Sequence, residues 1–183
     1  TAQKQTETAL RQAVVKYQML FNNFPLGITI SDRTGRIIET NQVAEVLLGV
    51  PQTEHTRRNI AGTEWRLVRP DGSPMPPEEY ASVRALKENR RIENVEMGII
   101  TSPTETTWLS VTAAPLPFSD GGVVITFGDI TSRKQAEAQR EAALDALRRS
   151  EASLRAIFEN SVQSFMLLDR DRRVQALNRM ANV

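Results

Sequence analysis

The chain has 183 residues, 40% of them hydrophobic and 25% charged, with a formal net charge of +1. That is the profile of a soluble globular protein, long enough for one ordinary domain plus connecting helices, and the charge gives no reason to expect general attraction to nucleic acid or an anionic membrane. Cysteine is absent, which excludes disulfides, cysteine-ligated zinc, thioether haem attachment and any light sensor that forms a cysteinyl adduct.

No apolar run nears the roughly 18 residues of a membrane span, and no basic–apolar–small leader pattern opens the chain. A threonine at position 1 suggests a domain cut from a larger protein, and a reducing, cytoplasmic setting fits the lack of cysteine. The single histidine, His55, cannot build a histidine metal cluster within one chain, so no metal site is expected.

In chain order, residues 1–23 predict an amphipathic helix, with Leu10, Val14, Tyr17 and Phe21 on one stripe and Pro25 and Gly27 ending it. Gly27–Asp32 alternates Ile28 and Ile30 with small polar residues, as a half-buried strand does. Arg33-Thr34-Gly35 is a turn and Arg36–Thr40 the partner strand. Asn41 is a good N-cap for a short helix, Gln42–Leu48, with Gly49 at its C-terminal cap and Pro51 blocking its continuation. Residues 51–62 read as polar and irregular. Trp65–Val68 reads as a short strand or extended segment, and Pro70-Asp71-Gly72 as a turn.

Pro76 and Pro77 offer a first helical position, followed by Glu78 and Glu79 where acids suit the helix dipole. That helix should run to about Asn89, with Tyr80, Val83 and Leu86 as its apolar stripe. Three strands follow: Ile92–Thr101, Thr106–Pro115 and Val123–Ile130, the last two joined by a hairpin closed at Gly121-Gly122. Thr131 then starts a helix to about Asn160, spanning about 40 Å. Leu144, Leu147, Leu154 and Phe158 form its seam, a short parallel coiled-coil signal, with Glu151 in register between them. Glu151 lowers the stability of that seam, either to keep it switchable or because the seam frays near a domain junction.

The opening of the chain recurs near its end. Leu20–Ala44 aligns without a gap on Ile157–Ala181 at an offset of 137, with seven identities: Phe21/Phe158, Asn23/Asn160, Asp32/Asp169, Arg33/Arg170, Arg36/Arg173, Asn41/Asn178 and Ala44/Ala181. Roughly one or two are expected from ordinary residue usage. The same offset carries the incoming helix onto residues 147–158. The chain is therefore expected to be a fragment of a tandem array, in which the exit helix of one domain is the entry helix of the next.

The order β-β-α, helical connections, three antiparallel strands and a helix at each end resembles a PAS domain. Gly121–Lys134 (GGVVITFGDITSRK) is similar to the PAS closing motif, with Asp129-Ile130-Thr131 ending the last strand and beginning the signalling helix. Asn41 to Gly49 and Trp108 on the penultimate strand also fit. The stretch Arg69-Pro-Asp-Gly-Ser-Pro-Met-Pro-Pro77 departs from the pattern in being longer and proline-rich. The resemblance implies an α+β fold, a five-stranded antiparallel sheet with helices on one face, flanked by N- and C-terminal signalling helices. The domains would be 1–23 an N-terminal helix, 24–131 the PAS domain, 132–158 a coiled-coil linker and 159–183 the start of a second PAS domain. It further implies a cytoplasmic sensory module of a bacterial signalling protein, such as a histidine kinase of a two-component system or a diguanylate cyclase, its catalytic domain outside this chain.

No Ser/His/Asp set, phosphate-cradling glycine loop or histidine phosphoacceptor box can be assembled, so no catalytic residue is expected. Val95, Met97, Ile99, Leu109, Val111 and Ala113 should share a sheet face opposite Tyr80, Val83 and Leu86. That face is either plain core or the wall of a ligand cavity, for which Tyr80, Val83, Leu86, Met97, Val111 and Thr126 are the candidate lining; Ser110 is a further polar candidate. Cofactor identity is open. Haem would need His55, Met97 or another ligand, and His55, in the polar run Gln52–Arg58, reads as a surface residue. A non-covalent flavin could stack on Trp65 or Trp108, although packing is the commoner use of tryptophan. Asp129 and Thr131 are the candidate relay residues: Thr131 as N-cap should accept from the amide near Arg133 or Lys134, and Asp129 should offset those two wrongly signed cations. The flanking helices, through Leu10, Val14, Tyr17 and Phe21 and through Leu144, Leu147, Leu154 and Phe158, predict a homodimer. The expected partners are thus a second copy, the output domain of the same polypeptide and a small-molecule ligand, with no nucleic acid.

Overall fold

An antiparallel sheet carries the first part of the chain, its strands lying side by side in the order Ile37–Thr40, Gly27–Asp32, Gly121–Asp129, Glu105–Pro115, Ile92–Ser102 and Leu67–Val68. The structure is a computed structural model that describes residues 2–102, 105–118, 121–160 and 163–178. It forms two compact units, Thr1–Ser132 and Arg133–Val183.

In the first unit, α1 (Ala2–Asn23) leads to β1 (Gly27–Asp32) and β2 (Ile37–Thr40), then to α2 (Gln42–Leu48), the one-turn α3 (Gln52–His55) and β3 (Leu67–Val68). A 3₁₀ turn (Pro77–Glu79) precedes α4 (Ala81–Glu88), and β4 (Ile92–Ser102), β5 (Glu105–Pro115) and β6 (Gly121–Asp129) complete the sheet. Helix α5 (Thr131–Asn160) follows. The α+β fold is as the resemblance implied, with one difference: the sheet has six strands among the described residues, not five, because Leu67–Val68 pairs with Ile99 and Gly98 at the β4 edge. The helix expected over 77–89 is also divided. Tyr80 is extended between the 3₁₀ turn and α4 (φ −59°, ψ 133°), so the apolar stripe does not continue through it.

The core lies on one face of the sheet. Met97, Ile99, Leu109, Val111, Ala113, Val123, Ile125 and Phe127 pack there with Ile37, Ile60, Trp65, Met75, Tyr80 and Ala85. Gly121-Gly122 closes the β5–β6 hairpin as it opens β6: the Gly121 N–H donates to the Phe118 carbonyl at 2.9 Å and the Leu116 N–H to the Gly122 carbonyl at 3.0 Å. A Cβ at Gly122 would collide with the carbonyl oxygens of Ser31 and Asp32, where β1 carries an irregularity between Ile30 and Asp32. The proline-rich stretch is organised by Arg69. Its guanidinium meets both carboxylate oxygens of Glu79 at 2.8 and 2.7 Å, and it donates to Ser73 Oγ and the Pro74 carbonyl. This fork geometry holds Met75 in the core.

The second unit contains β7 (Met166–Leu168) and β8 (Val174–Leu177), an antiparallel pair. Its geometry repeats that of β1–β2 at the offset of 137 seen in the sequence. Asp32 Oδ1 accepts the N–H groups of Thr34 and Arg36 at 2.8 and 3.0 Å, and Asp169 Oδ1 accepts those of Asp171 and Arg173, each at 2.8 Å. The Thr34 hydroxyl adds a third bond that holds the Asp32 carboxyl below the usual carboxylate range. The last positions of the repeat, Ala181 among them, lie outside the described residues.

One position differs in kind. Gly35 turns the first hairpin with φ +81°, and its counterpart Arg172 does so with φ +62°. A side chain with a Cβ pays roughly 1–2 kcal/mol in that left-handed region, against the roughly 0.5–1 kcal/mol entropic cost of glycine. Arg172→Gly is therefore expected to stabilise the β7–β8 hairpin by about 0.5–1 kcal/mol, slowing exchange of the Asp169 and Arg173 amides about two- to fivefold. Amide exchange followed by NMR checks it.

Candidate functional site

Asn41 fixes the corner where α1, β1 and α2 meet. It is 1% exposed. Its Oδ1 accepts the backbone N–H of Ala44, capping α2, and that of Ile28, each at 2.9 Å. Its Nδ2 donates to the carbonyls of Phe21 and Leu26 at 3.0 and 2.9 Å, and its own N–H donates to the Ile28 carbonyl. Every hydrogen-bonding position of the amide is used. Sequence reasoning found the cap but not the tie to α1. Asn178, fully buried, makes two of the equivalent bonds: Oδ1 accepts from Phe165 N at 2.8 Å, and Nδ2 donates to Gln163 O at 2.7 Å.

A cavity of about 80 Å³ sits between the sheet and the helices. It is walled by β5 and β6 through Leu109, Val111, Ile125 and Phe127, and by Met97 and Ile99 of β4; Tyr80, Ala81 and Ser82 at the start of α4 close one side. Of the expected lining, Tyr80, Met97 and Val111 are in place. Val83 and Leu86 pack against the core but do not line the cavity, because the extended Tyr80 presents the first residues of α4 instead. Thr126 is excluded by strand alternation: Ile125 and Phe127 face the cavity, and Thr126 donates to the Thr112 carbonyl on the other face. Alternation also places Ser110 and Trp108 on that outer face, while Trp65 lines the cavity.

His55 is not a surface residue. It is 1% exposed and lines the cavity. The run Gln52–Arg58 is polar in sequence, but α3 is one turn long and turns His55 inward. Gln52 secures that turn, its N–H donating to Glu45 Oε1 and its side chain to the Thr40 carbonyl. The apolar wall comes from residues distant in sequence, Ile37, Ile60 and Trp65. His55 Nδ1 lies 3.1 Å from Thr40 Oγ1, and its ring meets Trp65 edge-on with centroids 5.4 Å apart. Arg58 stacks on Trp65 at 4.7 Å and pairs with Glu54. Burial first, then the Arg58 charge, lowers the His55 pKa to about 4, against a smaller opposing effect of Glu45. The ring is neutral at pH 7.

The cavity does not fit haem or a flavin ring. At about 80 Å³ it is smaller than the roughly 150 Å³ cavity that holds benzene, and both haem and flavin are several times larger than benzene. Among the described residues no cluster of three His, Cys, Asp or Glu side chains is placed to hold a metal ion.

At the end of β6 the chain passes into α5 through three hydrogen bonds. Asp129 Oδ1 accepts the Thr131 N–H at 2.7 Å. Thr131 Oγ1 accepts the Trp108 N–H at 2.9 Å, and the Ile130 N–H donates to the Trp108 carbonyl at 2.8 Å. The Thr131 hydroxyl thus receives an amide of β5, where an amide within its own helix was expected.

In α1, Val14, Tyr17 and Phe21 line a groove beside β2 with Ile38 and Glu39, and Leu10 is exposed. Tyr17 Oη donates to Glu39 Oε2 at 2.8 Å. Burial and that carboxylate push the Tyr17 pKa up to about 12. In α5, Leu144, Leu147 and Leu154 are exposed, and Phe158 stacks on Phe165 with centroids 6.5 Å apart.

A sheet with one covered face, an asparagine-capped helix after the first hairpin and a closing Asp-Ile-Thr junction define the PAS class of sensory domains. Residues 21–138 match the family described as PAS fold, and the chain belongs to that family. It is 31% identical over 124 residues to the sensor protein TdiS of Thauera aromatica, covering 67% of this chain and 22% of that protein. Among solved structures it resembles the PAS domain of an HTR-like protein from Haloarcula marismortui, with TM-score 0.54, 21% identity and coverage of 69% of this chain and 99% of that one. It also resembles the PAS domain of a Colwellia psychrerythraea protein, with TM-score 0.50, 16% identity and coverage of 66% and 98%. Among the described residues, no helix is long and apolar enough to cross a membrane.

Proposed function

We propose that this chain is the sensory and dimerisation module of a bacterial signal-transduction protein, and that it passes the state of its PAS core through Asp129-Ile130-Thr131 into α5. One observation carries the reading. The strands that wall the cavity, β5 and β6, are the strands that hold the start of α5, through Trp108, Asp129 and Thr131. A displacement of either strand changes the geometry at which the helix leaves. The relative TdiS, a sensor protein of which this chain spans about a fifth, supports an output domain elsewhere in the same polypeptide; the two-component, cytoplasmic setting is part of the proposal. The exposed leucines of α5, spaced three and seven apart, support a homodimer seam. Tyr17 and its neighbours on α1 would extend that seam only after leaving the groove beside β2. The repeated asparagine and aspartate bonds of Asn178 and Asp169 support reading residues 159–183 as the start of a second PAS domain and residues 132–158 as the linker.

Removing the Asp129 carboxylate tests the relay. In the full-length signalling protein, Asp129→Ala removes the acceptor of the Thr131 amide at an exposed helix start, a loss of about 0.5–2 kcal/mol at the junction. It is expected to change basal output or signal response at least severalfold, whereas Asp129→Asn, which keeps an acceptor oxygen, retains most of both. If Asp129→Ala left both unchanged, the relay would lie elsewhere.

A further inference from the structure

The incoming helix α1 lies with its apolar stripe turned toward the body of the domain. Val14, Tyr17 and Phe21 line a groove whose other wall is Ile38, Glu39 and Gln52. At the end of the helix the Phe21 carbonyl accepts from Asn41 Nδ2 at 3.0 Å. One turn earlier the Tyr17 hydroxyl donates to Glu39 Oε2 at 2.8 Å, and the Tyr17 ring stacks on Phe21 with centroids 5.5 Å apart. The Asn41 bond anchors the last turn alone, so the seating of the stripe depends on the Tyr17–Glu39 bond. Burial adds little to it, since Val14 and Ile38 stay 46% and 51% exposed in the groove.

The same stripe, Leu10, Val14, Tyr17 and Phe21, has the spacing of a helix-pairing seam. One face cannot serve the groove and a partner helix at once. The second copy separates the two uses. At the offset of 137, Leu10 and Phe21 recur as Leu147 and Phe158, and Tyr17 becomes Leu154, so the seam persists. Glu39 becomes Ala176, so both members of the hydrogen-bonded pair are gone, and Leu154 is 65% exposed. A seam alone requires neither a phenol hydroxyl on the helix nor a carboxylate on β2. Their joint presence in the first copy and joint absence in the second mark them as one device.

We propose that Tyr17 and Glu39 form a latch that stows α1 against β2, and that its release frees the stripe of α1 to pair with α1 of a second copy. This rests on reading the flanking helices as a homodimer seam. The bond is charge-assisted but exposed, so its removal should shift the docking equilibrium about fivefold. Both protomers must undock before the stripes meet, so the factor enters squared and dimerisation should tighten about 25-fold.

Two measurements on the full chain test it. Amide exchange of residues 10–21, followed by mass spectrometry on dilute protein, should run about fivefold faster in Glu39→Ala and in Tyr17→Phe, because a released helix of this length frays in water. Sedimentation over a concentration series should show the tighter dimer in both variants. Glu39→Gln, which keeps an acceptor oxygen, should stay near the unaltered protein. Glu39 lies outside the stripe, so its substitution gains nothing from a more apolar seam, and the double variant Tyr17→Phe/Glu39→Ala should exchange no faster than Glu39→Ala alone. Unchanged exchange in Glu39→Ala, or effects of the two substitutions that add, would overturn the latch. Faster exchange with unchanged dimer affinity would overturn the competition between stowing and pairing. A chain that sediments as a monomer in every form discards the homodimer reading, and the exchange rates then decide the latch on their own.

Discussion

Replacing Asn41 by alanine is expected to destabilise the PAS domain by about 3 kcal/mol. The substitution strands the amides of Ile28 and Ala44 and the carbonyls of Phe21 and Leu26, all served by one side chain. A buried backbone group without a partner costs about 1–3 kcal/mol, and loss of an N-cap alone costs about 1 kcal/mol; water reaching α1 recovers part of the sum. Urea denaturation followed by circular dichroism should show a lower midpoint at unchanged slope. Asn41→Asp gives a sharper comparison. It keeps the two acceptor contacts of Oδ1 but sets a carboxylate oxygen against two carbonyls. It should therefore release the end of α1 while leaving α2 capped. An Asn41→Ala midpoint within about 0.5 kcal/mol of the unaltered protein would show that the corner is held by packing alone.

The second large effect is in pH. His55 has an ordinary value of 6.5 and a folded value of about 4, lowered first by burial. Its unfolded state therefore binds a proton more readily than its folded state. Above pH 6.5 both states are neutral and the stability is fully present. As pH falls from 6.5 to 4 the unfolded chain gains a proton that the folded chain refuses, and stability declines by about 3 kcal/mol. The groups around the ring agree with that sign: Arg58 opposes protonation, Glu45 favours it weakly, and Thr40 is neutral. Carboxylates titrate in part of the same window, so the quantity to measure is the difference between the unaltered protein and His55→Phe. That difference should shrink as pH falls from 7 to 4. A constant difference across the range would mean that His55 titrates alike in both states.

What the sequence disclosed, and what it hid, divides by contact range. Asn41 between a hairpin and an apolar helix is a local signal, as are Gly49 and the turns at Gly35 and Gly72, so the elements were legible. The repeat made the Asn178 corner legible too. His55 was not, because its four-residue helix has no period to read and its wall is assembled from Ile37, Ile60 and Trp65. Thr126 was assigned to the cavity because β-propensity marks a strand without marking which face is inward; the pairing of β6 with β1 and β5 decides that. Val83 and Leu86 obeyed the helical stripe, but the extended backbone at Tyr80 reset which residues of α4 reach the cavity. The extended segment at Trp65–Val68 was legible, but its place as a sixth strand was not, because that rests on the long-range pairing of Leu67 and Val68 with Ile99 and Gly98.

The asparagine corner also bears on the order in which the domain assembles. Its bonds join residues 13 to 20 positions apart, whereas Val123 N–H reaches Ser31 across 92. Closing the longer loop costs about 1–2 kcal/mol more in chain entropy. The hairpin and its asparagine thus form a unit able to close while the central strands are still unplaced, a nucleus on which β6 later docks. Asn41→Ala would then act mainly on the folding rate and little on the unfolding rate.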